Sequence, residues 1–187
     1  MMRLGPLATG QLVIAAQPGG SGYFERTVVL LLDHCPESTI GVVLNKPTDR
    51  ELPWQVKQWE GLLAPPGVLF EGGPVMEGSA VLLGQLAHPH FNPPGFRTVF
   101  DDVGMIDMDA PEELMRGAFA QVRLFMSLSG WAPGQLASEL LGGGWFRAKA
   151  RAEEVFGTPD DLWRRTLRRV GGTVGRWSTW SANPTLN

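Results

Sequence analysis

Apolar and polar positions along this chain switch between two periods, and the switches mark out its elements. Residues 11–16 (QLVIAA), 26–33 (RTVVLLLD) and 40–45 (IGVVLN) are short, leucine-rich and β-branched runs bounded by turn residues, the pattern of buried strands. Residues 17–22 (QPGGSG) read as a loop, and residues 34–39 (HCPEST) as the longer loop of a hairpin that Pro47 ends, because proline has no N–H for the ladder. In residues 51–63 the apolar positions Leu52, Val56, Trp59, Leu62 and Leu63 recur at spacings of three and four, which predicts a helix capped by Thr48 or Asp49, with Pro53 in its first turn. After Pro65-Pro66-Gly67, a short strand at 68–70 runs into Glu71-Gly72-Gly73-Pro74-Val75. Residues 79–86 predict a further strand, with Gly84 as a bulge.

Residues 88–95 contain three prolines and read as loop; 97–100 and 103–108 form a hairpin across Asp101-Asp102. Residues 110–121 predict a helix, with Pro111, Glu112 and Glu113 in its first turn and Leu114, Ala118 and Phe119 on one face. It feeds a strand at 122–128, which reaches residues 129–140 (SGWAPGQLASEL), a strand-to-helix corner. Gly130 frees the backbone there, Trp131 is a large anchor, and Pro133 suits a turn or a first helical position. Gly142-Gly143-Gly144 ends the corner helix, and Trp145-Phe146 restarts an apolar surface. Thr158 and Pro159 read as the cap and first residue of a last helix with Leu162, Trp163, Leu167 and Val170 on one face. The tail, with Trp177 and Trp180, reads as a final edge strand. About eight strands and four helices follow, a mixed α/β chain without internal repeat or linker, and so one domain over residues 1–187.

Composition supports that reading: 187 residues with 43% hydrophobic and 19% charged side chains are ordinary for a globular protein. A chain of this length buries roughly 70% of its unfolded surface and needs no disulfide. Its single cysteine, Cys35, suits a reducing compartment. The first residues lack the layout of a cleavable signal, and no run approaches the ~20 apolar residues of a membrane span, so a cytoplasmic protein without membrane contact is expected. The net charge of −3 argues against a dedicated nucleic-acid binder. Residues 140–187, however, hold eight Lys or Arg against four Asp or Glu. Arg164, Arg165, Arg168 and Arg169 lie one turn apart in pairs, a basic face whose alternatives are plain solvation or phosphate contact.

Candidate chemistry is sparse. His88 and His90 face one way in an extended segment, but a third ligand is missing, so no metal centre is expected. Asp33, His34 and Cys35 are consecutive and would point to opposite faces of a strand. Neither a G-x-S-x-G elbow nor a phosphate-binding G-x-x-x-x-G-K-[ST] loop is present, and no cofactor is implied. One convergence remains. Asn45, Lys46 and Gln135, with Gly72, Gly73 and Trp131, stand where several strands end, the usual place for a ligand pocket.

Taken in order, QLVIAAQP, FERTVVLLLDH, GVVLNKP, GGPV, RLFMSLSGWAPGQLASEL and DLW resemble the YqgE/AlgH family of small bacterial proteins along nearly the whole chain. The ending NP-x-x-N at 183–187 resembles its actinobacterial branch. The resemblance implies a largely antiparallel, bulged sheet folded into a pseudo-barrel and flanked by helices. It implies no established activity; some members carry a label as transcriptional regulators. Two places depart from the family pattern. Ser127-Leu128-Ser129 replaces a usual Gly-Tyr-Ala step, and Leu83-Gly84 replaces Leu-His, so neither that tyrosine nor that histidine is available here. The expected function is therefore a non-enzymatic regulatory or interaction protein that meets a protein partner, with nucleic acid as a weaker candidate. The alternative is a small-molecule-binding protein or enzyme with a pocket near Asn45, Lys46 and Gln135. No motif encodes an oligomeric state.

Overall fold

Both faces of the central sheet are covered, which is why its strands read as continuous apolar runs instead of alternating ones. The computed structural model describes residues 5–16, 22–110 and 112–180. The glycine loop at 17–21, Pro111 and the NP-x-x-N ending lie outside the described residues. Nine strands are present among the described residues: β1 Gln11–Ala15, β2 Val28–Cys35, β3 Ser38–Val43, β4 Phe70–Glu71, β5 Val75–Leu86, β6 Phe96–Phe100, β7 Val103–Ile106, β8 Phe119–Trp131 and β9 Trp145–Lys149. Five α-helical segments accompany them: α1 Glu112–Met115, α2 Gln135–Leu141, α3 Ala152–Phe156, α4 Leu162–Val170 and α5 Gly172–Gly175. Two 3-10 helices, Trp54–Leu62 and Arg176–Thr179, complete the set.

The sheet runs in the order β6-β7-β5-β8-β3-β2-β1-β9, antiparallel throughout, with β4 added parallel to β8. β8 joins its two halves. Its first part pairs with β5 from Phe119 to Met126 and again at Leu128, opposite Val75, and its last three residues, Ser129 to Trp131, pair with β3. Between them Ser127 takes a left-handed backbone, φ 60°, and the strand turns from one partner to the other. The resulting curl is a half-barrel.

Inside the curl, Leu12, Ile14, Val28, Leu30 and Leu32 of one half meet Leu83, Val103 and Phe125 of the other, closed by Val155, Phe156, Leu162, Trp163 and Leu167 of α3 and α4. Each such fully buried side chain contributes roughly 1.5–3 kcal/mol. The Trp163 indole donates to the Ala15 carbonyl at 2.8 Å, which fixes α4 on β1. Outside, Val13, Ala15, Val29, Leu31 and Val43 pack under Trp131, Leu136 and Trp145. On the other half, Leu82, Leu124 and Val122 pack under Val56, Trp59 and Met115.

An arginine lies in the interior. Arg123 of β8 is 1% exposed, and its guanidinium donates to the carbonyls of Val155 (2.6 Å), Gly157 (3.0 Å), Phe156 (3.1 Å) and Pro65. It also stands 4.4 Å from the centre of the Phe70 ring. Burial lowers its pKa to about 10.

Several sequence expectations change. Residues 110–121 are not one helix: α1 covers Glu112–Met115, Gly117 is left-handed at φ 73°, and Phe119 already pairs with Leu86. Sheet pairing overrides the helical spacing. The apolar surface at Trp145 is the edge strand β9 on β1, and the described part of the tail, expected to be a strand, is helical over Gly172–Gly175 and Arg176–Thr179. Gly84 is no bulge; it pairs with both Gly104 and Val122, and a Cβ on it would stand 2.5 Å from Ile106. The helix expected at 51–63 is 3-10 in form and follows Pro53, while the Thr48 hydroxyl donates to the Leu69 carbonyl at 2.9 Å. The last helix begins at Leu162 after Asp161, and Thr158 instead accepts from the Asp160 N–H at 3.3 Å.

Candidate functional site

Trp131 ends β8, and the turn Ala132-Pro133-Gly134 redirects the chain into α2, with Gly134 at φ 72°. The Gln135 side chain closes that turn: its Oε1 accepts from the Ala132 N–H at 3.0 Å, and its Nε2 donates to Glu139 Oε1 at 2.8 Å. The other oxygen of Glu139 accepts both indole N–H groups, from Trp131 at 3.0 Å and Trp145 at 2.8 Å. One carboxylate therefore ties β8, α2 and β9 together. Phe24 stacks on Trp131 with ring centres 6.0 Å apart and meets Trp145 edge-on at 5.3 Å. Trp131 is 5% exposed and is a packing residue first.

Asn45 and Lys46 reach the same cluster from the far side. Asn45 extends the β2–β3 ladder with its side chain: Oδ1 accepts from the Val28 N–H at 3.0 Å, and Nδ2 donates to the Arg26 carbonyl at 2.9 Å. Lys46 Nζ donates to the Tyr23 carbonyl at 2.7 Å and sits 3.2 Å from the centre of the Tyr23 ring. Burial pushes the Lys46 pKa down, and the Glu71 carboxylate opposes that shift. The Tyr23 pKa is raised, by burial first and by Glu71 second. Tyr23 and Phe24 touch edge to face, centres 5.1 Å apart. They link Lys46 to Trp131 in one line of contacts, but the polar atoms of Asn45, Lys46 and Gln135 do not converge on a shared pocket.

Gly72 and Gly73 serve close backbone approach. Gly72 donates to the Met126 carbonyl at 2.7 Å and accepts from the Val43 N–H at 2.8 Å and the Ser129 hydroxyl at 3.0 Å. A Cβ on Gly73 would lie 2.0 Å from the Leu128 carbonyl carbon. Beside this crossing lies a cleft of about 460 Å³, bordered by Thr48, Arg50, Glu71, Glu77 and Ser127. Above it β5 leaves β8 between Val75 and Ala80, with Met76 at φ 54°. Val75 and Met76 are 38% and 60% exposed there.

The four arginines divide. Arg164 donates to the carbonyls of Ser178 and, at 2.9 Å, Trp180; Arg165 donates to the Thr158 carbonyl. Arg169 pairs with the buried Glu154 at 2.7 Å and donates to the Lys149 carbonyl at 2.9 Å. Arg168 is exposed. His88 and His90 are also exposed, and no group of three or more metal-ligating side chains is found among the described residues. Asp33 pairs with Arg97 at 3.7 Å, and His34 meets the Thr39 hydroxyl at 2.6 Å. Cys35 is exposed in its hairpin.

Sequence reasoning missed Glu139, Trp145 and Phe24. The signal was a repeated Gly-Trp step, at 130–131 and 144–145, with one acid between the two tryptophans.

The described residues form a mixed α/β domain built on a curled, largely antiparallel sheet that makes a half-barrel. The chain belongs to the AlgH-like family, whose profile matches residues 12–175. It is 39% identical to a UPF0301 protein of Streptomyces coelicolor across 96% of this chain and 95% of that protein. Further relatives come from Thermobifida and Mycobacterium, and the chain stands with this actinobacterial branch. The crystal structure of a Corynebacterium diphtheriae protein matches with a TM-score of 0.87 at 29% identity, covering 96% of this chain and 95% of that one. The solution structure of AlgH from Pseudomonas aeruginosa shares the fold, with a TM-score of 0.65 at 19% identity over 98% of this chain and all of that one (100%). No helix among the described residues is long and apolar enough to cross a membrane.

Proposed function

We propose that this protein is a non-enzymatic interaction protein whose partner is another protein. The observation that carries the reading is the engagement of Asn45, Lys46 and Gln135: each spends its polar atoms on a backbone group or a neighbouring side chain, so the strand ends hold structure together and offer no convergent chemistry. The reading places the partner on the Val75–Met76 bulge, where two apolar side chains stand exposed beside a polar cleft. A regulatory role would follow from that contact. Phosphate contact by the last helix is the weaker variant, because Arg164, Arg165 and Arg169 already serve carbonyls or Glu154.

The test is affinity capture from the native cell extract with the wild-type chain and Met76→Asp, identifying proteins and small molecules together. Aspartate tolerates the left-handed backbone of that position. A discrete protein that is captured by the wild type and lost with Met76→Asp supports the proposal. Recovery of small molecules alone would overturn it in favour of a ligand-binding protein.

A further inference from the structure

The Glu139 carboxylate is tied down without being neutralised. Its three donors, the Trp131 and Trp145 indoles and the Gln135 amide, are all neutral. A carboxylate offers about four lone-pair sites, so one remains. Glu139 also sits in the last turn of α2, which carries no basic residue, so its charge adds to the negative end of the helix instead of offsetting it. No ion pair to Glu139 is found among the described residues.

This charge borders an open cleft of about 450 Å³, walled by Tyr23, Phe24, Glu25, Glu139, Trp145 and the backbone of Gly143. Among the described residues, a Cβ on Gly143 would meet nothing within 4 Å. Aromatic rings attract cations to their faces, and the cluster already shows this: Lys46 Nζ lies 3.2 Å from the centre of the Tyr23 ring. That ammonium occupies Tyr23 and leaves Phe24 and Trp145 without a cation of their own among the described residues. A neutral donor would satisfy the remaining lone pair but not the charge, and an anion would face Glu139. A cation satisfies the charge and can lie against the Phe24 and Trp145 side chains that line the cleft.

We propose that this cleft binds an organic cation, an ammonium or guanidinium group, with Glu139 as its counter-ion and Phe24 and Trp145 as its aromatic wall. The cation belongs either to a free small molecule or to a lysine or arginine side chain presented by a protein. The site does not depend on the Val75–Met76 contact proposed above, since it rests on Glu139, Phe24 and Trp145.

Titration of the two indole N–H resonances by NMR tests it, with tetramethylammonium as the free cation, neopentyl alcohol as its neutral isostere, and a short lysine- and arginine-containing peptide as the side-chain source. Saturable shifts of the Trp145 resonance with a cationic probe, at least about tenfold weaker with the alcohol and with Glu139→Gln, are expected. Should Glu139→Gln fail to fold, as judged by its amide spectrum, Phe24→Leu replaces it with the same expected loss. Tighter binding of the peptide than of tetramethylammonium assigns the cation to a protein, and the reverse assigns it to a small molecule. Equal shifts with the alcohol, no saturable shift with any cation, or affinity unchanged in the folded variant would overturn the proposal.

Discussion

The indoles of Trp131 and Trp145, fourteen residues apart in sequence, donate to the same oxygen of Glu139, at 3.0 and 2.8 Å. The carboxylate thus acts as a clamp between the end of β8 and the start of β9. Removing it strands two nearly buried N–H groups, since Trp131 and Trp145 are 5% and 8% exposed.

Glu139→Ala should therefore cost about 2–6 kcal/mol, the sum of two unsatisfied donors. Glu139→Gln should cost less, because one amide oxygen can still receive both indoles while its NH₂ opposes Gln135 Nε2. Trp131→Ala should cost about 3–5 kcal/mol through the cavity it leaves. Urea unfolding of the three variants checks the order; a stable, unaltered Glu139→Ala would show that water replaces the clamp.

Ser127 offers the opposite experiment. It is a non-glycine residue at φ 60°, at the place where β8 exchanges β5 for β3. A left-handed backbone costs an L-residue roughly 1–2 kcal/mol. Ser127→Gly should raise stability by about 1 kcal/mol, read as a higher urea midpoint at unchanged slope.

That position also shows what the sequence made legible. The YqgE/AlgH resemblance places glycine where Ser127 stands, and the structure supplies the reason, a bend that only a positive φ can make. Buried strands such as β2 were readable because both faces are covered and the run is continuously apolar. Gly72 and Gly73 are legible in the sequence only as residues at strand ends, whereas the crossing over Leu128 that excludes a Cβ is a long-range contact no local pattern carries. Phe119 was lost to the helix for the same reason: its spacing is helical and its partner, Leu86, lies 33 positions away. The candidate site suffered most. Asn45, Lys46 and Gln135 were picked as polar residues at strand ends, but polarity alone does not reveal whether a side chain is already hydrogen-bonded.

The burial of Glu154, offset by its ion pair with Arg169, sets a pH dependence. Glu154 is 6% exposed, and burial raises its pKa, opposed by Arg169 at 2.7 Å and by Arg151. A raised acid binds more protons folded than unfolded between its unfolded and folded pKa values, so stability falls as pH rises through that window. The contribution is complete below the unfolded glutamate value and is lost above the folded one. Glu154→Gln should flatten this slope. Arg169→Met, which removes the opposing charge, should move the window to higher pH and deepen the loss. Thermal midpoints measured from pH 4 to 8 in the three proteins check the sign.

The remaining arginines of α4 separate stability from nucleic-acid contact. Arg164 reaches from α4 to the carbonyls of Ser178 and Trp180, holding the final 3-10 helix against it. Arg164→Ala should lower stability by about 1–2 kcal/mol, because two carbonyls lose a charged donor. Arg168→Gln, at an exposed position, should change stability by less than about 0.5 kcal/mol. If phosphates were the target of this face, Arg168 would be its contact, and a gel shift at low salt would weaken in Arg168→Gln with a shallower salt slope. The geometry leads to the other outcome. Arg164, Arg165 and Arg169 bind the chain's own carbonyls and Glu154 and leave Arg168 alone on the face, so no salt-dependent band is expected with the wild type or with Arg168→Gln, and the phenotype of the face should lie in its unfolding curves.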